Sequence, residues 1–247
     1  MGKKQPDFLP NGIYHVFNHA NGWENLFKVE DNYRYFLEKM GDSVPGVVDV
    51  LAYCLLPNHF HFLVQVKGKE DLAKFYKQKY QLTDSEFREK GGIETINFHR
   101  LVRQQFTNFL GGYVTAYNRF HKRKGSLIRQ NTCRKMVGTR EYFLHAIHYV
   151  HMNAVHHGIV SKLEDWPHNS FHGYLSTSQT KLARDKILTW FGGKERFIAF
   201  SKNPVDPSFG FDLDFEELQA LTELLKANNF LQQSLSLRQG SNPKFFF

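Results

Sequence analysis

His59 and His61 stand one residue apart in an apolar run, 59–66, whose residues alternate in character. In a strand, alternate side chains share a face. Phe60, Phe62, Val64 and Val66 then form one apolar face, and His59, His61, Leu63 and Gln65 form the other, opposite the side that packs the core. Two imidazoles at i and i+2 on a rigid strand can hold one metal ion from the same side. The same spacing also suits two strand histidines exposed to water. A second pattern lies in 139–154. At about 100° per residue, Phe143, Ala146, Ile147, Val150 and Ala154 make an apolar helical stripe. Tyr142, Tyr149 and Asn153 run along one flank of it. Tyr149 and Asn153 are four residues apart, so their side chains meet. A phenol beside a neutral oxygen ligand, at the border between core and solvent, could face the histidine pair. A half-buried tyrosine and a surface asparagine would give the same pattern.

The helix 98–121 offers rival tyrosines. Tyr113 and Tyr117 are also four apart, and His121 lies four beyond Tyr117. Spacing alone does not exclude them, although Phe109, Leu110 and Val114 suit a core face better. His15, His19, His145, His148, His151, His156 and His157 suit surface or packing positions, with room for one to assist. Trp166 reads as a core plug.

The elements that must position these groups follow from periodicity. Residues 12–19, 47–56, 59–66 and 132–137 read as strands. Residues 30–40 and 98–121 have helical spacing, and Thr139 opens the next helix as an N-cap with Glu141 in its first turn. Pro57, Asn58, His59 and His61 break the apolar stretch 47–66, which therefore reads as two strands and a tight turn rather than a membrane span. The order β-α-β-β-α-β predicts an α+β, ferredoxin-like split βαβ unit, RRM-like, with an antiparallel sheet and helices on one face. Residues 67–97 read as an insertion with weak helices inside a domain of 1–178. Residues 179–247 read as a helical C-terminal extension, with helical stretches at 180–191 and 194–201, a linker at 203–211, an amphipathic helix at 215–228 and a polar tail.

The chain has 247 residues, with 32 Lys+Arg against 24 Asp+Glu, hence a net charge of +8. A pI of about 9.3 points to a polyanionic partner. An aromatic share of 15% argues against a disordered chain. Cys54 and Cys133 exclude a disulfide framework and a four-thiolate zinc site. The first dozen residues hold no apolar signal segment, so the expectation is a soluble cytoplasmic protein, nucleoid-associated if it binds DNA. Arg119, Lys122, Arg123, Lys124, Arg129, Arg134 and Lys135 form a basic stretch with Phe120 beside it. Such runs are commonly solvated loops, but cationic grooves with aromatic surfaces also bind single strands.

The segment Leu56-Pro57-Asn58-His59-Phe60-His61-Phe62-Leu63 resembles the LPNHxH motif of the single-tyrosine HUH transposases, where U is a hydrophobic residue. The nearest resemblance is to the REP-associated tyrosine transposases. The run His148-Tyr149-Val150-His151-Met152-Asn153-Ala154-Val155 is similar to their Tyr-x-x-x-Asn-Pro-Val motif, with Ala154 where proline is usual. Asp165-Trp166-Pro167 and Ser170 resemble the tryptophan–serine segment that follows, and the likeness spans about 12–174. The resemblance implies that His59, His61 and Asn153 bind a divalent metal, Mg2+ or Mn2+, and that Tyr149 is the nucleophile. It further implies a single-stranded DNA endonuclease and strand transferase, forming a 5′-phosphotyrosine at hairpin DNA. Two imidazoles favour manganese in vitro, and abundance favours magnesium. The alternative is a domesticated DNA-binding protein without turnover. The expected partner is single-stranded or hairpin DNA, with no membrane, and the protein acts as monomer or homodimer.

Overall fold

The computed structural model describes residues 5–202, so the expected linker and helix at 203–228 lie outside the described residues. Four strands form one antiparallel sheet in the order β2-β3-β1-β4, which is the split βαβ arrangement. They are β1 Ile13–His19, β2 Val48–Leu56, β3 His59–Val66 and β4 Cys133–Val137. Helix α1 spans Glu30–Ser43 and connects β1 to β2. The insertion carries α2 Lys69–Tyr80 and α3 Asp84–Glu89, and α4 Phe98–Phe120 returns the chain to β4. Beyond β4 come α5 Arg140–His156, α6 Phe171–Leu175, α7 Arg184–Phe191 and α8 Lys194–Lys202. Asn97 caps α4 by accepting from the Arg100 N–H at 2.9 Å, and Thr139 caps α5 by accepting from Tyr142 N–H at 3.1 Å.

The alternation of β3 holds as read. Phe60, Phe62, Val64 and Val66 are buried with Tyr14 and Val16 of β1 under α1 and α4, where Phe36, Phe109 and Tyr113 meet them. The two crossover helices therefore share one face, as expected. The other face is not open, because α5 lies across it and carries Phe143, Ala146, Ile147 and Val150 into a second core with Leu51, Ala52, Cys54 and Leu63. Ile187 of α7 and Phe197 of α8 are fully buried in that same cluster. Thus 179–202 packs as part of the α5 face, tied further by Ala183 N–H donating to Val50 O at 2.9 Å.

A bulge in β2 decides which of its residues reach the second core. The register shifts between Val50 and Ala52, so Val50 faces Val64 and Ala52 faces Leu63. One extra residue in a strand reverses the alternation after it. Leu51 and Ala52 can then both enter the second core, and Cys54 and Leu56 come opposite His61 and His59. The histidine face is packed from its flank by this switch.

Candidate active site

The third strand brings its two histidines to the sheet centre, between β2 and β1. Position decides their surroundings. Register places His61 opposite Phe17 and His59 opposite His19 on β1, and α5 closes above them. His59 is 3% exposed and His61 is 0%, so the face read as open to water is covered. Tyr149 of α5 is 6% exposed, and Asn153 is 0%. The border position expected for this pair lies instead inside the second core.

The expected residues do converge. His59 Nε2 lies 3.2 Å from Asn153 Oδ1. The His59 and His61 rings are 5.1 Å apart between centroids and nearly perpendicular. Tyr149 presents its ring edge-to-face to His61 at 5.6 Å and to His15 at 5.8 Å. His19 stacks on His59 at 4.6 Å, and His157 lies across it at 4.8 Å. The rivals go elsewhere. Tyr117 donates its hydroxyl to Asn25 O at 2.7 Å and Tyr113 donates to Leu26 O, both within the α1/α4 core on the other face of the sheet. Burial raises the pKa of each.

Local hydrogen bonds set how the site can meet a cation. His59 Nδ1 is 2.8 Å from Asn58 Oδ1. An amide oxygen only accepts, so the proton sits on Nδ1 and Nε2 carries the lone pair. That lone pair faces Asn153 Oδ1, a second acceptor. Two acceptors at this separation repel unless a positive charge lies against both. A proton is disfavoured there, because burial first, then the imidazoles of His157 and His19, hold His59 well below the ordinary histidine range. A divalent cation accepting from both relieves the repulsion, so the donor set fits one. In the metal-free protein, turning the Asn153 amide over would let Nδ2–H donate to His59 instead; Nδ2 has no other hydrogen-bond partner among the described residues. Among the described residues no group of three or more His, Cys, Asp and Glu is arranged for a metal. The candidate set is therefore two imidazoles and a carboxamide, suited to a hard or borderline cation that keeps water ligands.

The histidines of α5 have a separate consequence. His148 is 5% exposed and His151 is 1%; His151 Nε2 meets Ser170 Oγ at 2.7 Å, and that hydroxyl accepts from Tyr53 N–H at 2.8 Å. Ser170 of the tryptophan–serine segment is thus a buried brace between α5 and β2. Trp166 is the plug expected, half-buried with its indole N–H donating to Leu55 O at 3.0 Å. Burial lowers His148 to about 4 and His151 to about 3. The unfolded chain titrates near 6.5, so native and unfolded states are both neutral above that pH. Between about 6.5 and 4 the unfolded chain binds protons that the native state refuses. Stability is therefore full above about pH 6.5 and falls below it by roughly 1.4 kcal/mol per pH unit for each such histidine. Urea unfolding at pH 7.5 and pH 5 should show a clearly lower midpoint at pH 5; equal midpoints would contradict the buried neutral histidines.

The basic residues separate into distinct environments. Arg119, Lys122 and Lys124 are exposed. Arg123 is occupied: its guanidinium bridges to Glu24 and donates to Gly125 O at 3.0 Å and Ser126 O at 2.9 Å, which staples the loop after α4. Arg129 and Arg134 line a groove of about 620 Å3 on the α4 face, together with Arg103, Phe8, Phe106 and Asn18. The Arg134 guanidinium sits over the Phe8 ring at 4.9 Å. Lys135, the next residue on edge strand β4, points to the histidine face and sits over Phe17 at 5.6 Å. Arg103 carries no signal in the spacing, Asn58 enters only as a turn and motif residue, and His15 is one of many histidines; the signal for His15 is its place on the same face of β1 as Phe17 and His19.

No family model matches the chain. It is similar to a curated protein of Haemophilus influenzae named "Putative REP-associated tyrosine transposase", 23% identical over 126 residues, which are 50% of this chain and 59% of that protein. The match thus spans less than two thirds of the relative. A solved structure described as a REP-associated tyrosine transposase bound to a REP hairpin aligns at 16% identity and a TM-score of 0.48, covering 72% of this chain and 87% of that one. The motifs read from the sequence and the name of the curated relative agree on the REP-associated tyrosine transposases. No helix among the described residues is long and apolar enough to cross a membrane.

Proposed function

We propose that this chain is a metal-dependent, single-stranded DNA endonuclease and strand transferase that acts at hairpin DNA, with Tyr149 as its nucleophile. The observation that carries this reading is the meeting of His59, His61, Asn153 and Tyr149, drawn from two distant motifs, in one cluster. A buried constellation of this composition has no packing reason to collect so many polar rings.

A bound Mg2+ or Mn2+ would polarise the scissile phosphate and offset its developing charge. The protein supplies the rest. His59, His61 and Asn153 hold the donor atoms on two rigid elements, a central strand and a helix, so the geometry is set before DNA arrives. Tyr149 donates its phenol oxygen to phosphorus and loses its proton, because a free phenol with a pKa near 10 is a weak nucleophile at neutral pH. The bond to the 3′ oxygen breaks, leaving a 5′-phosphotyrosine and a free 3′-OH. The new phosphodiester retains the energy of the old one, so a 3′-OH can later displace Tyr149 without a nucleotide cofactor. At 6% exposure Tyr149 reaches a polymer only when its side chain turns outward from the rigid helix.

The charge distribution supports a DNA path around the edge of the sheet. Arg134 and Lys135 are successive residues of the edge strand and face opposite sides. A strand crossing that edge touches the arginine groove on one side and arrives beside Phe17 and the histidines on the other. Phosphate contacts release counterions, and for single strands log affinity falls with log salt by roughly 0.7 per phosphate. Replacing Arg119, Lys122 and Lys124 together by Ala should flatten that slope by up to about two units if all three touch phosphate. The loss should be alike for hairpin and scrambled strands. Fluorescence anisotropy at several salt concentrations reads this; an unchanged slope would remove these residues from the interface. Arg123 is left out because its loss would unpin the loop.

The catalytic reading is tested by incubating the protein with a 3′-labelled single-stranded hairpin oligonucleotide, with Mn2+ and with EDTA. Metal-dependent transfer of label to protein supports it. Binding without cleavage or transfer under every metal condition would favour the domesticated DNA-binding alternative.

A further inference from the structure

His15 lies behind His61 in the sheet, on the neighbouring strand β1, and is 2% exposed. Its Nε2 is 2.8 Å from His61 Nδ1, and the two rings are 16° from parallel. We propose that His15 is a positioning residue, which holds His61 in the tautomer able to ligate a divalent cation and thereby sets the affinity of the site. This rests on the reading of His59, His61 and Asn153 as the metal donors.

A single proton lies between the two facing nitrogens, and its position decides the chemistry. If His15 Nε2–H donates, the proton of neutral His61 is on Nε2, and the nitrogen on the far side of the ring from His15 is blocked. If His61 Nδ1–H donates, His15 Nε2 accepts and His61 Nε2 presents a lone pair. Only the second arrangement binds a cation. A neutral imidazole buried at this distance can always take the acceptor role, and accepting the Nδ1 proton also raises the basicity of the ligating nitrogen.

The other histidine has the same design. Asn58 Oδ1 accepts from His59 Nδ1 at 2.8 Å, which leaves His59 Nε2 aimed at Asn153. Each candidate ligand thus has an acceptor behind it, one from the turn before β3 and one from the strand beside it. The two differ in kind. Asn58 oxygen can only accept, whereas His15 can also donate, so the His15–His61 pair has two proton arrangements and cation binding selects one. Tyr149 lies edge-on to both rings of the pair, so the element that orients the ligand also borders the nucleophile.

The test is a Mn2+ titration of the full-length protein, followed by the electron paramagnetic resonance signal of free Mn2+, with thermal unfolding on the same samples. The variants are His15→Leu, His15→Gln and Val16→Ala, the last on the same strand but buried in the opposite core. His15→Leu should weaken Mn2+ binding by about 10- to 100-fold. His15→Gln, whose carbonyl can accept the His61 proton, should recover most of it. Val16→Ala should lower the melting temperature while leaving the affinity within about twofold. Wild-type affinity in His15→Leu would overturn the proposal, as would a His15→Gln variant no better than His15→Leu, or a Val16→Ala variant as weak as His15→Leu. A different result marks failure of the metal reading itself: wild type and His61→Ala taking up Mn2+ equally, or neither taking it up, removes the site on which the proposal depends.

Discussion

Tyr149→Phe is expected to leave the fold and hairpin binding in place while abolishing both strand cleavage and the covalent protein–DNA adduct. The substitution removes one oxygen and keeps the ring. That ring packs in the second core and meets His15, His61 and His156 by its faces and edges, contacts that phenylalanine preserves. The lost atom is the one required to attack phosphorus. Tyr117→Phe is the matching control. It loses a hydrogen bond to Asn25 O at a cost of about 1 kcal/mol and should still cleave. Cleavage by Tyr149→Phe together with inactivity of Tyr117→Phe would overturn the assignment.

The second large effect is at the histidine strand, where adjacent residues should fail in different ways. His61→Ala should lower metal-dependent cleavage by on the order of a hundredfold or more, since a metal's charge stabilisation is worth several kcal/mol. Its stability should also fall, because His61 is fully buried and its loss leaves His15 without this partner. A buried polar group left unmatched costs about 1–3 kcal/mol. Alternation alone would make the cost small, since the histidines face away from Phe60 and Phe62; the second core raises it. Phe62→Ala should cost more, about 3–5 kcal/mol, as a cavity among Phe36, Phe60 and Phe109. What remains folded of Phe62→Ala should retain its metal affinity. Chemical denaturation alongside Mn2+ titration separates the two, and full activity of His61→Ala in EDTA would remove the metal from the account.

The parts of this architecture legible in the sequence are those coded by neighbours along the chain. The alternation of β3 fixes which residues share a face, and the structure keeps that assignment residue for residue. The Thr139 cap and the apolar stripe of α5 place Tyr149 and Asn153 on a single flank, and the helix forms there. What local pattern does not carry is pairing across the chain. The bulge at Val50/Ala52 puts two consecutive residues into one core, against the period of a strand. The burial of the histidine face depends on α5, which begins about eighty residues after it in the chain, in a core that Ile187 and Phe197 of still later helices complete. His15 acquires meaning only through the β1–β3 register, and Arg123 leaves the DNA-binding set only because Glu24 lies across from it. Each is a long-range contact, invisible to spacing.

The central claim is that Tyr149, beside His59 and His61, becomes covalently attached to DNA. The most direct measurement is mass-spectrometric mapping of the peptide that carries nucleotide after incubation with Mn2+ and a single-stranded hairpin oligonucleotide, followed by nuclease trimming and proteolysis. The account predicts a phosphonucleotide on Tyr149, absent in EDTA and absent from His61→Ala. A nucleotide mapped to Tyr113, Tyr117 or any other residue, or an adduct formed equally in EDTA, would contradict it.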